Sequence, residues 1–412
     1  MRKTLLLFVA ILTIALCLAG PANASSEAEK QAAIASGLAW LASTQQADGR
    51  WSYDGSYGDT AATASALLAF QEQQTKPGGW FGQDYTAIVN KGYEYLFSQG
   101  QIVNIGVQTY GNPDTNGNGI GIKFVPGGPI NRDTYVTGLV LPAIAKLPAA
   151  GVVASGPLAG RTYGSVVQDV VDYFAWGQNE SGTARGAWRY WANSGDSDNS
   201  TVQWPAIGML YAQAAGATVP QFVRDEMRGW IDYIQNANGG SGYDSPGNVV
   251  NVAKTGGLLV EMVFAGYDGG AVPNEATALS YLNATWLQNA NSTWDGNFGH
   301  PYAMWATYKG LQSTIGLGDT TTITNLHPNP GDLDPGHTWN WWEDYCESLV
   351  NSQLGNGAWS GYEYWTGALA TAWNINILNA TQVVHGVPEP GSLLLVLGGL
   401  VGLGFVRRRC KG

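Results

Sequence analysis

Between residues 28 and 381 the chain alternates two kinds of apolar segment. The first kind is amphipathic. Ala33, Leu38, Leu41 and Ala42 fall on one helical face, and Phe222-Val-Arg-Asp-Glu-Met-Arg mixes charges with its apolar positions. The second kind is poor in charge on every side. Residues 60–70 carry none, and comparable runs follow at 134–145, 204–215, 255–265, 301–311 and 366–378. A helix that is apolar all round is buried. The pattern therefore predicts six helical hairpins, each with an outer helix followed by an inner one. Six such hairpins close into an α/α toroid, an all-α fold forming one domain over residues 25–381.

A signature recurs between the two helices of each pair. Leu41-x3-Gln45-x3-Gly49-x-Trp51 has the spacing of Leu349-x3-Gln353-x3-Gly357-x-Trp359. Weaker copies are Phe174-x3-Gln178 before Gly186-Ala187-Trp188, and Ile231-x3-Gln235-x3-Gly239 before Gly242-Tyr243. Gln288 precedes Asp295-Gly296-Asn297-Phe298, and Tyr95-x3-Gln99 opens the second unit. A fixed period of this kind marks a repeat architecture in which the glutamine and tryptophan close each unit structurally. The glycine-rich residues 101–132 form an insertion in the second unit. The spacing, followed by a Thr-rich inner helix, resembles the repeats of squalene-hopene cyclases and protein prenyltransferases. That resemblance implies the toroid. It does not fix an activity, because one architecture hosts unrelated functions.

Two segments flank the repeats. Arg2 and Lys3 precede an apolar run at 5–18, and Ala22-Asn23-Ala24 offers a cleavage site, so residues 1–24 read as a secretory signal peptide. Residues 382–412 form a linker and an apolar stretch from Ser392 to Val406 that ends in Arg407-Arg408-Arg409. This stretch is short for a membrane span, which needs about 20 residues. Pro388-Glu389-Pro390, a glycine, the apolar run and the basic cluster resemble a PEP-CTERM sorting signal. The resemblance implies an exported bacterial protein, held transiently at the inner membrane and passed by an exosortase-type sorting enzyme to the cell surface or exterior.

Composition narrows the chemistry. The net charge is −11 and no basic patch is visible, which argues against nucleic acid as a partner. Of three cysteines only Cys346 lies in the body, so there is no disulfide framework. In a toroid, the loops that lead into the inner helices share one face, where unpaired N–H groups and positive dipole ends gather. That mouth carries Asp59, Asp133, Asp196, Asp198, Lys254, His300 and Glu363, with Tyr190, Trp191 and Tyr302 as aromatic platforms for a ligand. Asp59 and Asp133 also read as helix caps. Ser200 and Gln203 have capping-box spacing, which would free Asp198 to face the mouth. Asp196-Ser197-Asp198-Asn199 resembles the cyclases' Asp-x-Asp-Asp motif, with Asn199 replacing the last Asp. The resemblance implies a Brønsted-acid role for Asp198 beside Asp196. His300 with Tyr302 is the other catalytic candidate. No cofactor motif is complete. The nearest is a calcium half-loop at Asp114, Asn116 and Asn118, whose twelfth position is Val125 where a bidentate Glu belongs.

Each catalytic motif lacks a part, whereas export and the repeats have positive evidence. The sequence therefore leans toward a non-catalytic surface or matrix protein that binds extracellular polysaccharide at the mouth. The alternatives are a polysaccharide-processing lyase or hydrolase and a terpenoid-cyclase-like enzyme using Asp198.

Overall fold

The computed structural model describes residues 24–53, 58–127, 132–271, 273–331 and 333–382. The expected signal peptide, apart from Ala24, and the expected sorting motif (Pro388, Glu389, Pro390, Arg407, Arg408 and Arg409) lie outside the described residues. No described helix is long and apolar enough to cross a membrane.

Among the described residues, twelve α-helices follow one another as six hairpins. They are α1 (Glu27–Thr44) with α2 (Asp59–Gln74), α3 (Thr86–Ser98) with α4 (Asp133–Ala145), and α5 (Tyr163–Gly177) with α6 (Asn199–Ala214). Then come α7 (Gln221–Ile234) with α8 (Val252–Ala265), α9 (Glu275–Thr285) with α10 (Pro301–Thr314), and α11 (Trp341–Ser352) with α12 (Gly367–Leu378). The even-numbered helices are the inner ones. Every residue of α12 after Gly367 is buried. By contrast α7 buries only Val223, Met227, Trp230, Ile231 and Ile234, one stripe of a helix whose other face meets solvent. Each inner helix packs against the next around the ring, and α12 returns to α2. The fold is thus an α/α toroid. Glycine lets inner helices approach closely: a Cβ on Gly256 would sit 2.6 Å from the Thr307 backbone of α10.

The repeat signature is the joint between units. The Gln45 side chain donates to Gly49 O within its own turn and to Ile88 O in α3, the outer helix of the next unit, both at 2.9 Å. Gln178 reaches Val223 O in the same way, and Gln235 reaches Asn274 O. Gln353 donates to Ala33 O of α1 at 2.8 Å and so joins the last unit to the first. The indoles of Trp51 and Trp359 donate back to Leu41 O and Leu349 O of their own outer helices. Gly49 and Gly357 have φ near +90°, and a Cβ at either would strike the neighbouring unit's backbone carbonyl at 2.1 or 2.4 Å. Only glycine fits there. A buried ion pair also closes the ring: Lys30 Nζ of α1 lies 2.6 Å from Glu343 Oε2 of α11, and His337 Nδ1 meets the other carboxylate oxygen at 2.8 Å.

Three expectations need correction. The fold is not purely helical, because the insertion forms an antiparallel ribbon of β1 (Gly100–Asn104) and β2 (Ile120–Phe124) that packs on α5 and α4. Helix α6 begins at Asn199, five residues before the apolar run, and carries Pro205 inside it. Its N-cap is Asp198, which accepts from Ser200 N at 2.9 Å; Gln203 turns instead to the Tyr302 hydroxyl at 2.7 Å. No Ser200–Gln203 capping box forms.

Candidate binding cavity

The six inner helices start around one cavity of about 440 Å³. Gly58 and Ala61 reach it from the start of α2, Arg132, Tyr135 and Val136 from α4, and Ser200 from α6. Asn251 and Lys254 of α8, His300 and Tyr302 of α10 and Leu369 of α12 complete the ring. Because all six N-terminal ends meet there, the inner helices run parallel and their positive dipole ends converge. The loops that lead into these helices add Tyr53, Tyr190, Tyr243, Trp294, Tyr364 and Trp365. The floor is aromatic. Tyr302 stacks on Trp365 at 4.9 Å, and beneath them Trp204 stacks on Trp373 at 5.7 Å. The far ends of the inner helices are filled by side chains. Lys309 donates to the Tyr211 hydroxyl and to Thr381 O, and Lys146 pairs with Glu72 at 2.5 Å. The cavity is therefore open on one side only.

Four of the residues expected at the mouth line this cavity together: Tyr190, Lys254, His300 and Tyr302. Each is held by local structure. The His300 Nδ1 caps α10 by accepting from Ala303 N at 3.5 Å, and its ring lies 4.6 Å from Tyr362 and 5.0 Å from Trp365. Burial, reinforced by the Lys254 charge, pushes its pKa down to about 3. The imidazole is neutral at physiological pH and a weak base. The Tyr302 hydroxyl accepts from Gln203 and donates to Ser200 O at 2.9 Å. The hydroxyls of Tyr190 and Tyr243 lie 3.0 Å apart, and the guanidinium of Arg189 sits 5.3 Å from each ring. Lys254 is 4% exposed, and burial lowers its pKa to about 8 against the pull of Asp295 and Asp198.

The carboxylates expected at the mouth are turned away from the cavity. Asp198 is fully buried as the α6 cap, 3.1 Å from Arg189 Nε, and has no surface on the cavity wall. Burial raises its pKa, while Ser200 and Arg189 pull it down. Asp196 is exposed and pairs with Arg189 at 2.9 Å. Asp59 and Asp133 are the first residues of α2 and α4 rather than their caps. Asp59 accepts from Tyr53 N at 2.9 Å and pairs with Arg50, and Asp133 pairs with Lys123 of the ribbon at 2.5 Å. Trp191 and Glu363 are exposed outside the wall. Among the described residues that line the cavity there is no Asp or Glu.

The calcium half-loop lies against α5, away from the cavity. Asp114 accepts from the N–H groups of Gly117, Asn118 and Gly119, and the amides of Asn116 and Asn118 both donate to Asp169 Oδ1 at 2.7 and 2.8 Å. Among the described residues no group of three His, Cys, Asp or Glu side chains is placed to hold a metal ion.

The sequence placed residues 363–366 at the mouth but did not single out Tyr53, Tyr135, Tyr243 and Trp294 as part of it. A usable signal existed: Tyr53, Tyr364 and Trp365 lie between a repeat's Gly-aromatic position and its inner helix, Tyr243 is such a position itself, Trp294 stands two residues before Gly296, and Tyr135 is the third residue of α4. Backbone strain marks the same rim. Val249, Trp294 and Glu363, in three successive loops, have φ of 48°, 62° and 48°. A non-glycine residue in the left-handed region costs about 1–3 kcal/mol and persists where the surroundings impose it, as at binding sites.

No family model matches the chain, and no curated protein matches it. Solved structures do. A GH76 alpha-mannanase of Bacteroides thetaiotaomicron superposes with a TM-score of 0.50 at 11% identity, over 85% of this chain and 96% of its own. Protein geranylgeranyltransferase-I of Candida albicans gives 0.41 at 11% identity, over 72% and 84%. A type II terpene cyclase from Scytonema gives 0.34 at 13% identity, over 86% and 98%. At these identities the mannanase likeness establishes the shared toroid and nothing about activity.

Proposed function

We propose that the protein is an exported, non-catalytic toroid that takes one end of an extracellular polysaccharide chain into the cavity. The observation that carries this is the wall: eight aromatic side chains around about 440 Å³, with no carboxylate among its described residues. Sugar rings stack on aromatic faces, and a mostly apolar concavity with a few polar groups is the usual form of a small-ligand site. Glycoside hydrolysis needs two carboxylates across the scissile bond, and cyclase chemistry of the expected kind needs an acid facing the substrate. Asp198 is spent on capping α6 and on Arg189. Elimination chemistry would need a base near neutral pH; burial moves His300, Tyr243 and Tyr302 away from that range and leaves Lys254, near 8, as the wall's one candidate base among the described residues. A cavity with a filled floor admits a chain end rather than a chain middle.

The surroundings follow from the flanking sequence. Export by the signal peptide, handling by an exosortase-type enzyme at the inner membrane, and release to the surface would put the cavity among extracellular glycans. Calcium at Asp114, Asn116 and Asn118 would serve the insertion's docking on α5, not the cavity.

Intrinsic tryptophan fluorescence tests the binding role, since Trp294 and Trp365 line the cavity. Oligosaccharides should quench it saturably, and Trp365→Ala should weaken binding at least tenfold. No saturable change with any sugar up to about 10 mM, a range in which even weak specific sites fill, would sink the proposal.

A further inference from the structure

Most of the charged groups around the mouth are matched. Asp59 has Arg50, Asp133 has Lys123, and Asp198 and Asp196 share Arg189. Two cations are not ion-paired among the described residues: Arg132, half-buried over the Tyr190 ring, and Lys254. Lys254 lines the cavity, is 4% exposed, and its ammonium has no hydrogen-bond or ion-pair partner among the described residues. Asp198 and Asp295 act on it only through space. An unpaired buried ammonium is costly, and a bound anion would supply the missing partner. Around it the wall is electropositive. Arg132 faces the same space over the Tyr190 ring, His300 is an uncharged neighbour, and the inner helices point their N-termini inward.

We infer, resting on the carbohydrate reading above, that the sugar ring held in the cavity carries a carboxylate, and that the Lys254 ammonium is its anchor. The ligand is thus a uronate-type residue at a chain end. The net charge of −11 fits a single acidic ring better than a densely charged polyanion, which the rest of the surface would repel. Stacking on Tyr302 and Trp365 would hold the ring face while Lys254 holds its charged edge. Asp295 is the rival partner for Lys254. One of its carboxylate oxygens is buried and unpartnered among the described residues, and its charge acts on Lys254.

The test is a calorimetric titration of the exported protein with digalacturonate, its methyl ester and neutral galactobiose. Digalacturonate should bind at least tenfold tighter than the other two. Lys254→Met should erase that preference while leaving the weaker neutral binding in place, and Lys254→Arg should restore part of it. Asp295→Asn should leave the preference intact or strengthen it. Equal affinity for the acid and its ester would overturn the inference and leave the carbohydrate reading standing. If none of the three sugars binds, the carbohydrate reading falls. The anion site is then judged by acylation of Lys254 followed by mass spectrometry: protection by acetate or inorganic phosphate would support it, and no protection would overturn it too.

Discussion

Replacing Lys254 by methionine should make the unliganded protein more stable. The side chain is nearly fully buried, and its pKa falls from the ordinary 10.5 to about 8 because burial disfavours the charge. At about 1.4 kcal/mol per pH unit, that drop is an ionisation penalty of about 3 kcal/mol. The sign follows from proton linkage. Below about pH 8 the ammonium is charged in both the folded and the unfolded chain, so the penalty is present in full. Between about 8 and 10.5 the folded chain has already released its proton, and the penalty fades; above that range it is gone. Methionine has similar length and no charge. With an unfolding entropy of about 2.1 cal/mol/K per residue over roughly 350 residues, 3 kcal/mol corresponds to a rise in Tm of about 4 °C. Thermal unfolding of both proteins, followed by circular dichroism at pH 7, 9 and 10.5, should show the methionine variant ahead at pH 7, with the gap closing as pH rises. Other groups titrate in this range, so the gap between the two proteins is the quantity to read. A variant less stable than its parent at pH 7, or a gap that ignores pH, would refute the picture of an unpaired ammonium held in readiness for an anion.

Other residues give sharper structural tests. Glu343→Ala leaves the buried Lys30 unpaired where α1 meets α11 and should cost about 3–5 kcal/mol in chemical denaturation; a cost under about 1 kcal/mol would mean that the pair does not hold the ring closed. Gly357→Ala places a Cβ 2.4 Å from Ser36 O at a φ of +90° and should lower Tm by several degrees, which differential scanning calorimetry would read directly. Glu261, fully buried with both carboxylate oxygens unpartnered among the described residues, has its pKa raised by burial. Stability should therefore fall as pH rises above its ordinary value near 4.5, and Glu261→Met should flatten that slope between pH 5 and 8. Asp198→Asn keeps a capable N-cap, so it should cost about 1 kcal/mol through Arg189 and leave sugar affinity within twofold; loss of a measurable turnover in a folded variant would restore Asp198 as a catalytic acid.

The ring was legible in the sequence because its information is periodic. A charge-poor run such as residues 60–70 has no place but the inside of a ring, and Gln45 and Gln353 occupy equivalent sites because each must reach the next unit's backbone. Periodicity could not show where the loops turn their side chains. Asp59, Asp133 and Asp198 stand just before or at the start of inner helices and look alike in sequence, yet each is paired with a cation from a different place: Arg50 in the same turn, Lys123 across the ribbon, and Arg189 in the preceding loop. Those pairings depend on loop conformations that no repeat spacing encodes. The ribbon itself was missed because its ten strand residues are split by a glycine- and asparagine-rich turn that reads as irregular.

A helix N-terminus accounts for the aspartates at the mouth and does not account for the lysine. A helix N-terminus attracts a carboxylate whether or not any ligand is present, so an aspartate there is expected on structural grounds alone. A lysine in the first turn of α8 runs against that preference, because its charge meets the positive end of the dipole. Capping cannot account for it, since Asn251 already accepts from Lys254 N at 3.1 Å. Packing does not account for it either, because methionine would fill the space without the charge. Of all the candidates at the mouth, Lys254 is the residue whose cost to the free protein has no structural return, and that cost is what directs the search for a ligand toward anions.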